Sequence, residues 1–201
     1  MRKIIILFSA VVLSVSCKKD KEAEPQQSGK LSELVPEAFL KEAKTMGFTV
    51  HEGNTPPNIT GEYKLAPWRF DGDNDTDRPG GANQPGYTIA NGFSLKIVGQ
   101  QGSVIGVSYV GYYEGRTLND PFIIGSGNNF TICRHIEMIG GMGGLFSHPY
   151  AQLISGTLDG GKLKNVKMAT IGLKSNPGDA GAAAPVEGEI AIWSDADGVS
   201  E

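Results

Sequence analysis

Cysteine is nearly absent from this chain: only Cys17 and Cys133 occur in 201 residues. Two cysteines cannot build a disulfide framework, so packing has to hold the core. Positive charge is not in surplus, with 18 basic side chains against 22 acidic ones. That balance argues against nucleic acid, whose phosphates need a basic surface. No apolar run reaches the roughly 20 residues of a membrane helix. After residue 50 no segment keeps a helical period, which leaves no room for the crossovers of a parallel sheet. Gly-x-Ser-x-Gly, Walker, His-Glu-x-x-His and Cys-x-x-Cys patterns are all missing. The commonest signatures of hydrolases, nucleotide enzymes and zinc sites go with them, and no cofactor is expected.

Glycine, by contrast, is abundant. There are 28, about twice the usual share, spread without a G-X-Y period. They punctuate a turn-rich globular chain.

The first segment reads as an address. Met1-Arg2-Lys3 is a positive start, and Ile4 to Leu13 is an apolar stretch too short to span a bilayer. Leu13-Ser14-Val15-Ser16-Cys17 follows and resembles a bacterial lipobox, which implies lipidation of Cys17 and removal of residues 1–16. An ordinary secretory leader with a coincidental cysteine is the competing reading. Without residues 1–16, which carry Arg2 and Lys3 and no acid, 16 basic side chains face 22 acidic ones, a balance of −6. With Cys17 lipidated, Cys133 has no partner for an internal disulfide. Residues 17–30 are polar and read as a flexible tether. Lys18-Lys19-Asp20-Lys21-Glu22-Ala23-Glu24 is similar to the charged tract behind the lipidated cysteine of Bacteroidetes surface lipoproteins. That likeness implies the cell envelope, as an outer-membrane lipoprotein facing outward.

Residues 31–201 are expected to form one domain. Residues 32–46 carry Leu34, Val35, Ala38, Phe39, Ala43 and Met46 at helical spacing, with Ser32 as a cap, Pro36 in the first turn and Gly47 at the end. Phe48 to His51 suggests a short strand. The Pro56-Pro57 segment then forbids helix, and Gly61 opens the first alternating strand, 61–66. Asp71 to Gly86 reads as a long acidic loop. Strand signals recur at about 87–99, 103–114, 120–125, 128–139, 150–158, 163–174 and 186–193, separated by turns such as Asp159-Gly160-Gly161. Eight strands in neighbour order predict an all-β fold, an antiparallel up-and-down barrel with one N-terminal helix. A two-sheet β-sandwich is the alternative.

A helix, then Gly61-Glu62-Tyr63 at the first strand, then an antiparallel meander resembles the calycin group, the lipocalins and their relatives. Tyr63 stands where lipocalins carry Trp. The chain is also similar to lipocalin-like lipoproteins of gut Bacteroidetes, through Pro56 to Tyr63, Ile154-Ser155-Gly156-Thr157 and Ser194-Asp195-Ala196-Asp197-Gly198. The resemblance implies a barrel, and an Arg packed across the Gly-x-aromatic position; Arg134 over Tyr63 would fill that role.

The strand around residue 133 carries the chemistry. One face shows Thr131, Cys133, His135 and Glu137; the other shows Phe130, Ile132, Arg134, Ile136 and Met138. Cys133 and His135 have the types and spacing of zinc ligands or of a nucleophile and base, with His51 and His148 as further ligand candidates, but no orienting third group can be placed. Asp71, Asp73, Asp75 and Asp77 alternate like calcium-loop ligands, yet Thr76 stands where the turn glycine belongs and Ala82 where the bidentate acid belongs. A solvated acidic loop is the expectation, and no metal site is assigned. The Gly140–Gly144 run reads as a loop. Small residues at Gly106, Gly111, Gly156, Ala169 and Gly172 suggest open volume within the barrel. The expected function is therefore non-enzymatic: a membrane-anchored lipoprotein binding a small apolar or amphipathic ligand, lined by Tyr63, Phe130, Ile132, Arg134 and Ile136. The alternative is a cell-surface glycan- or protein-binding module without an internal pocket.

Overall fold

The computed structural model describes residues 27–75, 84–110, 116–140, 146–174 and 186–201. Its helical part is two pieces, α1 (Gln27–Leu34) and α2 (Glu37–Thr45), where one helix over 32–46 was expected. Pro36 is the reason. It has no amide hydrogen and it sits with ψ 138°, so it ends one helix and caps the next. Ser32 lies inside α1 rather than at a cap, and α1 begins within the expected tether. Gly47 ends α2 as expected: φ is +89°, and its amide donates to the Lys44 carbonyl at 3.1 Å. No described helix is long and apolar enough to cross a membrane.

The strands are β1 (Asn54–Thr55), β2 (Gly61–Leu65), β3 (Trp68–Asp73), β4 (Thr88–Ile89), β5 (Phe93–Gln101), β6 (Val104–Val110), β7 (Arg116–Thr117), β8 (Phe122–Ser126), β9 (Asn129–Gly140), β10 (Phe146–Asp159), β11 (Lys162–Gly172) and β12 (Ile190–Asp195). Phe48 to His51 is not strand; β1 comes later and joins β8 in parallel. All other pairings are antiparallel. β8 to β12 run as a meander in chain order, with β9 and β10 in unbroken register from Asn129↔Thr157 to Gly140↔Phe146. Asp159-Gly160-Gly161 turns the next hairpin with φ of +59° and +80° at its glycines.

The expected closed barrel of about eight strands is not what forms. The sheet is open and strongly curled, a half-barrel whose ladder ends at β2 and β4 with edges 10 Å apart. Sequence reading took one strand over 61–66 and a loop after it. The chain instead breaks at Ala66-Pro67 and continues as β3, on the far side of the ladder path. Pro67 offers no amide donor at that joint. β4 is an edge of only two residues. Expected features that depend on a calycin barrel fall with closure.

The curl separates two apolar clusters by simple alternation. The inner face gathers Tyr63, Leu65, Trp68, Phe93, Leu95, Ile97, Phe130, Ile132, Ile154 and Met168, among others. The outer face gathers Phe122, Ile124, Cys133, Leu153, Ile171 and Ile192 beneath Leu31, Leu34, Val35 and Ala43 of the helical segment. Among the described residues, the β5–β6 hairpin contributes none to that outer cluster. Its outward side chains Val98 and Val104 stay 45% and 53% exposed.

Candidate functional site

The interior was the expected ligand site, and it is filled. Phe130 and Ile132 are 0% exposed, Ile136 1% and Tyr63 7%. Of the glycines expected to leave volume, Gly156 does not: a Cβ there would meet the Phe130 ring at 3.0 Å. Gly106 pairs with Val98 and shares its outward face, so it opens no space inside. Ala169 belongs to the outer cluster, and Gly111 lies outside the described residues. An open sheet around a packed core removes the small-ligand reading.

Arg134 is fully buried at one end of the inner face. Its guanidinium lies 5.1 Å from the Tyr109 ring centroid, so Tyr109, and not Tyr63, takes the stacked place. Nη2 donates to Thr117 Oγ1 at 3.0 Å, and Nη1 reaches Gln152 Oε1 at 3.4 Å. The Tyr109 hydroxyl donates to the same Gln152 oxygen. These contacts tie β6, β7, β9 and β10 together, and a packed polar cluster explains the Arg in an apolar row.

Cys133 and His135 do share the outer face of β9, but in different surroundings. Cys133 is 0% exposed under the helical segment, and burial pushes its thiol up, away from the thiolate that attacks or binds metal. Thr131 accepts the His51 amide at 2.8 Å. His51 is held below the usual imidazole value by burial. So is His135, with Glu137 opposing the shift. His148 alternates with Tyr150 and Gln152, on the other face of the sheet from Cys133. Among the described residues no three His, Cys, Asp or Glu side chains converge on a metal position.

The acidic run is also used structurally. Asp71 and Asp73 belong to β3 and not to a loop. Asp71 accepts from Arg69 Nε at 2.8 Å and from the Ser194 hydroxyl at 2.9 Å. Thr76, Asp77 and Ala82 lie outside the described residues, as do Cys17 and Gly141 to Gly144.

Openings among the described residues lie on the outer, helical side of the sheet. A cleft of about 440 Å³ lies between α1 and the segment that enters β8. Lys30, Glu33 and Leu34 form one wall, Asn119, Asp120, Pro121 and Phe122 the other; Val104 and His135 line it as well. Local bonds set the second wall. The Leu118 amide donates to the His135 carbonyl at 2.8 Å, and Asn119 Oδ1 accepts the His135 amide at 2.9 Å. Both bonds pin the segment to β9, and the Ile105 amide holds the Pro121 carbonyl at 3.4 Å. Leu118, 39% exposed, stands in the same segment. The lining carries two carboxylates against one ammonium, around apolar walls. Sequence reading missed it because it took 120–125 as strand and Val104 as one more strand residue. Asn119-Asp120-Pro121, a turn tripeptide, was the available signal.

Comparison with protein-family models, with curated proteins and with solved structures finds no match to this chain.

Proposed function

We propose that this protein is a binding module of the cell envelope, tethered through lipid on Cys17, which engages a protein partner on the outside of its sheet. The contrast between the two faces carries this reading. The inner face is closed by its own side chains, whereas the outer face offers a cleft and three exposed aliphatic residues, Val98, Val104 and Leu118. Exposed aliphatics beside a cleft are what a protein partner buries. Glu33 and Asp120 outweigh Lys30, so a partner segment with a basic side chain next to an apolar one fits the charge. A glycan is the less favoured partner: of the described aromatics only Tyr87, at 43%, is an exposed large side chain.

A photocrosslinker at position 104 of the membrane-bound full chain should trap a protein. Glu33→Lys with Asp120→Lys should abolish that adduct while the fold stays intact. Equal adducts from position 162, on the β10–β11 hairpin, would make the contact nonspecific and end the proposal. Cys17→Ala should move the chain to the soluble fraction, since stable anchoring depends on acyl chains at roughly 0.8 kcal/mol per buried CH₂.

A further inference from the structure

β12 ends in a carboxyl group that the fold has buried. Asp195 is 5% exposed, and neither carboxyl oxygen meets a donor of good geometry among the described residues. Its ladder partner is Trp68, itself 1% exposed at the end of the inner face. A carboxylate there would lose hydration and gain little in return, so the neutral acid is favoured.

The chain then turns back on itself. The Gly198 amide donates to the Asp195 carbonyl at 3.1 Å, and the Ala196 amide to the Pro67 carbonyl at 2.9 Å. Residues 198–201 lie between two strands that do not pair with each other. On one side the Asn165 and Ser200 amides bond the Gly198 and Leu163 carbonyls, each at 2.9 Å, and Ser200 Oγ accepts the Leu163 amide at 2.8 Å. On the other side Lys64 and Glu201 exchange both backbone bonds, at 3.1 and 3.0 Å. Ser200 is 0% exposed, so this short segment is built into the fold. It joins β11 to β2 near the break at Ala66-Pro67, where the sheet leaves β2 as an edge.

We propose that residues 196–201 are a proton-controlled latch: the bonds to β2 and β11 keep it closed beside Asp195 while that carboxyl is neutral, and loss of the proton to solvent loosens it. The groups around the carboxyl favour this behaviour. Burial raises its proton affinity most, the nearby Asp197 carboxyl adds to it, and Glu201 adds a little; the Ala66 backbone opposes. Together they bring Asp195 up to about 6. Lys64, which bonds the segment through its backbone, is paired with Glu201 at 3.0 Å, and Lys164, which bridges Val199, is paired with Asp159. Arg69 and Lys167 are engaged by Asp71, beside Ser194, which alternates to the other face from Asp195. Ionised Asp195 would therefore face Asp197 and Glu201, two carboxylates on the latch itself, with no free cation among these neighbours.

Hydrogen exchange on the full chain tests this. After correction for intrinsic base catalysis, the Lys64, Ser200 and Glu201 amides should exchange about tenfold faster near pH 8 than near pH 5, while Ile132 and Leu153 amides should not change. Asp195→Asn, which keeps the shape and removes the titration, should leave the latch amides equally protected at both pH values. Asp197→Asn should move the wild-type midpoint downward, and it decides the matter if the first variant does not fold. Latch protection independent of pH in the wild type would overturn the proposal. So would an unchanged pH dependence in Asp195→Asn, or an Asp197→Asn midpoint that does not move. Restoration of protection near pH 8 by calcium, lost in Asp195→Asn, would also overturn it by making a cation the closing ligand.

Discussion

The inner and outer faces of this sheet come from the same strands and the same alternation, yet they end in opposite states. On the inner face, curling brings side chains from β2, β3, β5, β6 and β8 to β11 against one another until the space is full. On the outer face, curvature splays side chains apart, and only a separate layer can cover them. The helical segment covers the part over β8 to β12, and the β5–β6 hairpin stays bare. The cleft lies at the boundary of that cover. A curled sheet can thus exhaust its inner face in stability and leave recognition to the part of the outer face that its helices do not reach.

The contrast breaks first, and hardest, at Phe130. Its ring occupies the space beside Gly156, and Phe130→Ala should cost about 3–5 kcal/mol in urea unfolding. A loss below about 1 kcal/mol would mean that the interior is not tightly filled.

The next largest effect is that of Asp195. The folded chain holds its proton more tightly than the unfolded chain, up to about 6 against 3.8. Its stabilising contribution is therefore full below about pH 4 and is lost as pH rises through about 6. His51 and His135, held low by burial, act in the opposite direction as pH falls through the usual imidazole range. Asp195→Asn should raise stability near pH 8 by about 1–2 kcal/mol, after allowance for solvent screening, and change little near pH 4. Thermal melts at the two pH values would show it; equal shifts at both would refute it.

Cys133 sharpens the comparison on the covered part of the outer face. Cys133→Ala should cost about 1 kcal/mol, and alkylation of the wild-type thiol should proceed only through unfolding. Rapid labelling of the native chain would show that the helical cover opens. The smallest effect belongs to the bare part. Val104→Ser should change stability by less than about 0.5 kcal/mol while weakening partner capture. A larger loss would place Val104 in the core and remove it from the proposed interface.

Sequence reading located most strands because alternation and turn glycines are local signals. β9 to β12 lie close to their expected positions, and the face of β9 that holds Cys133 and His135 is the one expected. It could not tell that Cys133 would be sealed under helices while His135 lines a cleft, since alternation specifies a face and not what covers it. The helix expected as one piece became two through Pro36, whose position in the first turn of a longer helix looked acceptable from propensity alone. Arg134 was recognised as a polar group in an apolar row, but its partners Tyr109, Thr117 and Gln152 come from three other strands. The cleft was invisible because Lys30 and Glu33 meet Asn119 and Asp120 only across the packed layer.

Composition and periodicity by themselves determined the antiparallel β character, most of the turns and the division of each strand into two faces. Those follow from covalent geometry and local preference, which act over a few residues. Tertiary structure alone decided that the sheet stays open at β2 and β4, that the inner face is filled by its own side chains and that Asp195 is buried under a latch. Each of those depends on how distant segments compete for the same space, and no short stretch of chain holds that information.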